Sequence, residues 1–166
     1  MPQTLPGNAL DLHKLFSPII GEEFVIVDEG SRLRYGRDET EHLCFLPQIV
    51  LRPRTTEEVS SIMKICNDHL IPVTPRGGGT GLMGGALPHR GGVVLSLDRM
   101  NSILKIDEEN LQAIVEAGVI TEVLQEAVKE KGLFYPPDPS SRGSCFIGGN
   151  VATNSGGPKA VKYGVV

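Results

Sequence analysis

Six of the eleven residues from Pro75 to Gly85 (Pro-Arg-Gly-Gly-Gly-Thr-Gly-Leu-Met-Gly-Gly) are glycine. Ordering so many glycines is costly in chain entropy, so an ordinary surface loop seldom has this composition. Without Cβ, the backbone can reach φ > 0 and come close to a ligand. A run of successive N–H groups in such a loop forms a concave nest suited to phosphate oxygens. Arg76 adds a fixed cation with a planar donor fork, and Thr80 adds a hydroxyl. A flexible linker is the plain alternative. The apolar, strand-like runs that flank the loop tightly on both sides speak against it.

Two familiar phosphate motifs can be tested against this stretch. Gly79, Gly81 and Gly84 satisfy the spacing G-x-G-x-x-G, which requires a helix directly after the glycines to receive a pyrophosphate. Here Gly85-Ala86-Leu87-Pro88-His89-Arg90-Gly91-Gly92 follows, and more glycines with a proline cannot open a stable helix. The ATP-type loop ends in Gly-Lys-Ser/Thr, a triplet that does not occur. The expectation is a turn between two strands that cradles phosphate with backbone amides.

At 166 residues and 40% hydrophobic content, the chain supports one modest core and roughly one domain. A net charge of −4 with no basic stripe, few aromatics and no tryptophan makes nucleic acid an unexpected partner. Cys44, Cys66 and Cys145 are far apart and odd in number, so neither a disulfide framework nor a zinc site is expected, and a reducing, cytoplasmic compartment fits best. His13, His42, His69 and His89 are scattered and read as ordinary residues rather than metal ligands. The N-terminus lacks the pattern of a signal peptide, and no apolar stretch is long enough to span a bilayer.

Taken in order, Asn8 caps an expected helix through Phe16 that Ser17-Pro18 ends or interrupts. Phe24–Val27 reads as a short strand, and Asp28–Glu41 as a polar, solvated loop. Ile49-Val50-Leu51 reads as a buried strand. Thr55–Asn67 is the clearest helix, with a Thr55/Glu58 capping box and Val59, Ile62, Met63 and Cys66 on one face. Ile71–Thr74 is a second strand leading into the glycine loop. Strand, helix and strand of these lengths make a βαβ unit with parallel strands and put the loop at a strand's C-terminal end. Val93–Leu97 is a third strand. Ile103–Ile106 and Ala113–Ala117 form an antiparallel hairpin around Asp107-Glu108-Glu109-Asn110. Thr121 caps a second amphipathic helix that buries Val123, Leu124, Ala127 and Val128 and stops with Gly132 at C′.

A second unusual stretch follows. Tyr135 to Ser141 contains three prolines that fix φ. From Gly143 to Gly157 small and amide side chains dominate. Gly148-Gly149-Asn150 reads as the start of a short helical turn that presents backbone amides, and Asn150, Thr153 and Asn154 supply paired donors and acceptors suited to a heteroaromatic edge or a ribityl hydroxyl. A polar loop lying over the glycine-rich one is the plain alternative. Cys145 has no histidine near it in sequence, and its neighbours Phe146 and Ile147 favour a packed thiol over a nucleophile.

Together, Arg76-Gly77-Gly78-Gly79-Thr80-Gly81-Leu82-Met83-Gly84-Gly85 after a βαβ unit, then Pro136-Pro137-Asp138-Pro139-Ser140-Ser141, Cys145 to Gly157 and Lys162-Tyr163-Gly164 carry a resemblance. From about Tyr35-Gly36-Arg37-Asp38 to the last residue, the chain resembles flavoproteins of the vanillyl-alcohol-oxidase fold, which have a PCMH-type FAD-binding domain. Within them it is most similar to the branch that holds D-lactate dehydrogenase, a glycolate oxidase subunit and D-2-hydroxyglutarate dehydrogenase. The implied fold class is α+β (an α/β sandwich), a βαβ parallel subdomain followed by an antiparallel one. Residues 1–48 would be an N-terminal helix and extension, and 49–166 the N-terminal part of the FAD-binding domain.

That resemblance implies FAD and oxidation of a D-2-hydroxy acid of the glycolate or D-lactate type to the 2-keto acid by hydride transfer to flavin. By the same resemblance Pro75, Arg76, Gly77, Gly78, Gly79, Thr80 and Gly81 would wrap the pyrophosphate, with Leu82, Gly84 and Gly85 lining the same channel. Pro137, Asp138, Ser144, Ile147, Gly148, Gly149, Asn150, Thr153 and Asn154 would flank the flavin and its ribityl chain. Some relatives carry a flavin-bonded histidine after the glycines. Thr80 stands there in this chain, so dissociable, non-covalent FAD is expected. An iron–sulfur electron-acceptor protein, through which the chain would sit peripherally on an inner membrane, is an implied partner. Relatives continue past Val166, and their substrate arginine, metal-binding histidines and catalytic base lie in that continuation. The expectation is therefore an N-terminal fragment, inactive alone, with no catalytic residue to nominate and an exposed sheet edge open to self-association. Two other classes remain as alternatives at this point: a non-catalytic nucleotide-binding subunit completed by a partner chain, and a nicotinamide-dependent oxidoreductase, which predicts a helix starting near Leu82.

Overall fold

The computed structural model describes residues 9–166. They form two compact units, divided between Arg99 and Met100. The first begins with α1 (Ala9–Ile20), which runs through Pro18 rather than ending there. Leu12, Phe16 and Ile20 recur at four-residue spacing and are all buried, so packing holds the last turn against the missing proline N–H. Gly21, at φ 89°, ends the helix and donates its N–H to the Ser17 carbonyl at 2.9 Å. The Asn8 cap expected from sequence lies outside the described residues.

A 3-10 turn (Glu22–Phe24) takes up the first residue of the expected strand, leaving β1 as Val25–Ile26. The polar stretch after it is not all loop, for α2 spans Glu29–Tyr35. Its cap is Asp28, whose Oδ1 accepts the Ser31 N–H at 2.8 Å. Next come β2 (Ile49–Leu51), α3 (Thr56–Asp68), β3 (Val73–Arg76) and β4 (Val93–Ser96). The Thr55 hydroxyl caps α3 by accepting the Glu58 N–H at 3.2 Å. The Glu58 carboxylate reaches one residue further back than a standard capping box, to the Arg54 N–H at 2.6 Å. Ile62 and Cys66 of α3 are buried with Val59 and Ile65 beside them, whereas Met63 is exposed.

The four strands lie in the order β1-β2-β4-β3, with β1 antiparallel to β2 and the other pairings parallel. The expected parallel strands β2 and β3 are therefore present but not adjacent, because β4 occupies the slot between them. All four β4 residues and all three of β2 are buried. Continuous apolar runs are what a doubly covered parallel sheet requires. β3 contains Pro75, and its edge position is where a missing N–H is tolerated. Parallel β3 and β4 are joined without a helix, by the glycine-rich segment 77–92. The core gathers Leu12, Phe16, Ile20, Val25, Ile49, Leu51, Ile62, Cys66, Ile71, Val93 and Leu95. Burial there pushes the Cys66 thiol up to about 11, so it stays protonated and inert at neutral pH.

The second unit opens with the antiparallel hairpin β5 (Ile103–Asp107) and β6 (Gln112–Val115). Asp107 accepts both the backbone and side-chain N–H of Asn110, closing the polar turn. A bulge between Ile103 and Lys105 changes the alternation, so Ile103 and Ile106 both pack inward while Leu104 is exposed. α4 (Thr121–Lys129) buries Leu124 and Val128, and Val123 points to solvent. Leu133 donates to Val128 and Gly132 to Lys129, the bond pattern of a Schellman motif with Gly132 at C′ and φ 73°. Thr121 is not the cap; Ile120 is. The Thr121 hydroxyl is instead fully buried, accepting the Asn150 Nδ2 at 2.6 Å. α5 (Ile147–Thr153) and α6 (Ala160–Tyr163) complete the unit. No helix among the described residues is long and apolar enough to cross a membrane.

Candidate functional site

β3 ends at Arg76, and its guanidinium turns back under the loop that it introduces. Nη1 donates to the Arg37 carbonyl at 2.6 Å and lies 3.4 Å from the Tyr35 carbonyl, with the group 5.6 Å from the Tyr35 ring centroid. Burial pulls its pKa down. Its hydrogen-bond partners are neutral carbonyls, and Tyr35 and the Asp38 carboxylate, acting through space, partly offset the effect of burial. Gly79, at φ 72°, folds over this side chain; a Cβ there would lie 2.1 Å from Arg76 Nη2.

The rest of the loop is open. Among the described residues, none of the amides from Gly77 to Met83 donates a hydrogen bond to the chain. Backbone donors are obligatory hydrogen-bonding groups, so seven in succession must be met by water or by a ligand. Gly81 and Gly85 have an ordinary φ, and a Cβ on either would meet nothing within 4 Å. Packing among the described residues therefore gives no reason for glycine at these two positions, whereas close approach by a ligand would. Leu82 and Met83 are likewise exposed. Residues 81–92 form bends and turns only, so the helix near Leu82 required by the nicotinamide reading is absent.

The loop is tied at its far side by a segment to which sequence reasoning assigned no role. Glu39 donates its N–H to the Gly81 carbonyl at 3.1 Å, and the Thr40 hydroxyl accepts the Gly84 N–H at 2.8 Å. Asp38 Oδ1 accepts the Thr40 N–H at 2.9 Å; its Oδ2 is buried without a partner among the described residues. Arg37, Asp38, Thr40, His42, Leu43 and Cys44 line a cavity of about 330 Å³. The Asp38-x-Thr40 pattern of an Asx turn was the available signal, and it says nothing about which distant loop the turn holds.

In the second unit, Pro137 is buried and its carbonyl accepts Gln125 Nε2 at 2.7 Å. Asp138 is held by Lys159 Nζ on one oxygen and Arg142 Nη1 on the other, each at 3.0 Å. Arg142 also meets Glu122 at 3.3 Å. Lys159, then Arg142, keep the Asp138 carboxyl below the usual carboxylate range. A depressed folded-state pKa stabilises above the ordinary carboxylate value of about 4 and is lost as pH falls through the folded value. We therefore expect the urea midpoint of the wild-type chain to drop on acidification below about pH 4. Asp138→Asn should lower the neutral midpoint and flatten that acid limb.

The α5 start is more occupied than its sequence suggests. Ile147 is a core residue, and its N–H donates to Val119; the Gly148 N–H donates to Ala117 and that of Asn150 to Phe146. A Cβ on Gly148 would lie 2.7 Å from that of Ala117, so this glycine serves close packing. Gly149 has open space around it. The Asn150 side chain is buried on Thr121, Thr153 Oγ1 donates to the Gly149 carbonyl, and Ser144 Oγ donates to Ser141. Asn154 is exposed in the left-handed conformation at the helix end. Cys145 is buried with its sulfur 3.1 Å from Thr121 Oγ1, a packed thiol. No cluster of metal-ligating side chains occurs among the described residues.

Comparison with known proteins agrees with this geometry. A glycolate oxidase subunit, GlcD, from Bacillus subtilis (strain 168) is 48% identical over 155 residues, 93% of this chain and 33% of its own length. A D-lactate dehydrogenase from Anaerostipes hadrus is 48% identical over 71% of this chain and 25% of its own. The chain thus spans a quarter to a third of these curated relatives. Among solved structures, an alkyldihydroxyacetonephosphate synthase superposes with a TM-score of 0.85 at 21% identity, covering 98% of this chain and 35% of that one, a likeness of fold. A substrate-bound p-cresol methylhydroxylase gives 0.69 at 30% identity, over 80% of this chain and 27% of its own. The parallel sheet with an antiparallel hairpin is the architecture of these neighbours. Free amides around glycines that the fold itself does not need fit a diphosphate-bearing cofactor. With residues 47–166 matching the model described as "FAD binding domain", the chain belongs to that FAD-binding family.

Proposed function

We propose that this chain is the FAD-holding part of an oxidoreductase that converts a D-2-hydroxy acid of the glycolate or D-lactate type to the 2-keto acid. The observation that carries the reading is the run of amides from Gly77 to Met83 with no hydrogen-bond partner among the described residues. They would receive the pyrophosphate oxygens, with the Arg76 charge beneath them. Pro137, Gly149, Thr153 and Asn154 would contact the flavin end. Thr80 offers no imidazole for a covalent link, so the cofactor is held non-covalently. The chemistry the flavin supplies when bound is acceptance of a hydride from the substrate's α-carbon. This chain's residues bind and orient; none of them is assigned a proton-transfer role. The substrate class is supported by relatives named for glycolate, D-lactate and D-2-hydroxyglutarate. That the glycolate oxidase relative is one subunit of its enzyme supports an electron-accepting partner, for which an iron–sulfur protein is the proposed class, and the scattered cysteines support a cytoplasmic setting.

The test is complementation. The purified chain should retain FAD through gel filtration, and anaerobic glycolate or D-lactate should leave its visible absorbance unchanged. A chimera joining the chain to the C-terminal part of the Bacillus subtilis relative should bleach with one of these acids. A flavin-loaded chimera reduced by NADH but by no 2-hydroxy acid would overturn the reading.

A further inference from the structure

We propose that Arg37–Thr40 is a strap that sets the shape of the anion-binding loop, with Thr40 as its positioning residue. The inference rests on the cofactor reading above but concerns how the loop is held before any ligand arrives. A glycine-rich loop left to itself samples many conformations, and each must be given up on binding. Three ties reduce that number here. The Thr40 hydroxyl takes the Gly84 N–H, the Glu39 N–H takes the Gly81 carbonyl, and the Arg37 carbonyl anchors Arg76 from below. Thr40 is itself oriented by Asp38, which accepts its N–H at 2.9 Å.

The direction of the ties matters as much as their number. In a trans peptide unit the C=O and the following N–H point to opposite sides. With the Gly81 oxygen drawn toward Glu39, the Leu82 N–H faces away from the strap. An oxygen held on that side is also an oxygen kept from repelling an anion on the other. At Gly81 the strap thereby draws a carbonyl out of the way, while the Thr40 hydroxyl pins the far end of the loop by accepting the Gly84 N–H, the one tie to the loop backbone that runs through a strap side chain.

The test uses the whole chain with Thr40→Val, which keeps the shape and removes the acceptor, and Thr40→Ser, which keeps the hydroxyl. Two readouts are taken: the FAD dissociation constant from flavin fluorescence, and amide hydrogen exchange at Gly84 without flavin. We expect Thr40→Val to weaken FAD roughly tenfold and to speed Gly84 exchange by a similar factor, with Thr40→Ser close to wild type in both. Valine and serine variants that behave alike would overturn the strap, as would unchanged Gly84 exchange in Thr40→Val. Should the wild-type chain bind no FAD, the cofactor reading fails, while the Gly84 exchange comparison still decides whether the strap exists.

Discussion

Gly79→Val should abolish measurable FAD binding at micromolar concentrations while leaving the chain folded. The native φ of 72° is strained for any side chain and most for a β-branched one, at about 1–3 kcal/mol. The new Cβ would also lie where Arg76 Nη2 now rests, 2.1 Å away. Arg76 is flexible and would move, giving up its charge-assisted bond to the Arg37 carbonyl, worth about 1.5–3 kcal/mol, together with its longer contact to the Tyr35 carbonyl. An unliganded loop relaxes to avoid most of this, so the cost is incurred on binding. A total near 4 kcal/mol corresponds to roughly a thousandfold in affinity. Gly81→Val makes the contrast. Among the described residues nothing lies within 4 Å of a Cβ placed there, so its stability should stay within about 0.5 kcal/mol of wild type while FAD binding still falls. Loss of stability at Gly81 equal to that at Gly79 would mean that both glycines serve the fold alone. Equilibrium dialysis against FAD, with urea melts on the same samples, checks both variants.

Phe16→Ala should come close to unfolding the first unit. Phe16 is fully buried and, with Leu12 and Ile20, sets α1 into a core that includes Ile49, Leu51 and Ile62. Replacing a buried phenylalanine by alanine costs about 3–5 kcal/mol in lost transfer energy and cavity. Whole domains are stable by only about 5–15 kcal/mol. The cost falls on an already compromised helix, since Pro18 deprives its last turn of a donor. The urea midpoint should shift strongly with little change in slope. A loss below about 1 kcal/mol would mean that α1 is not part of the cooperative core.

What could be read from the sequence was the set of features whose causes are local. The glycine loop, the α3 cap at Thr55, the hairpin turn at Asp107 and the stop at Gly132 each depend on a few adjacent residues, and each formed where expected. The misses came from competition between local and distant terms. Pro18 locally forbids a helix that Phe16 and Ile20 hold in place by packing. Gly30 and the charges around it concealed α2, although Asp28 and Ser31 carried a cap signal. Thr121 has the composition of a cap but lies one position inside the helix, where its hydroxyl serves Asn150. In the candidate site, Gly148 and Asn150 suggested free donors, and only the fold shows those N–H groups bound to Ala117 and Phe146. The strap was illegible because its bonds to the loop join residues about forty positions apart and run largely through backbone atoms, which carry no signature of identity.

The most direct test of the central claim is a two-dimensional amide NMR titration of the labelled chain with FAD. The amides of Gly77, Gly78, Gly79, Thr80, Gly81, Leu82 and Met83 should shift together and saturate with the flavin absorbance, while those of Ile147 and Gly148, already bonded within the chain, move far less. Bound flavin with the seven loop signals unmoved would contradict the account, placing the pyrophosphate elsewhere.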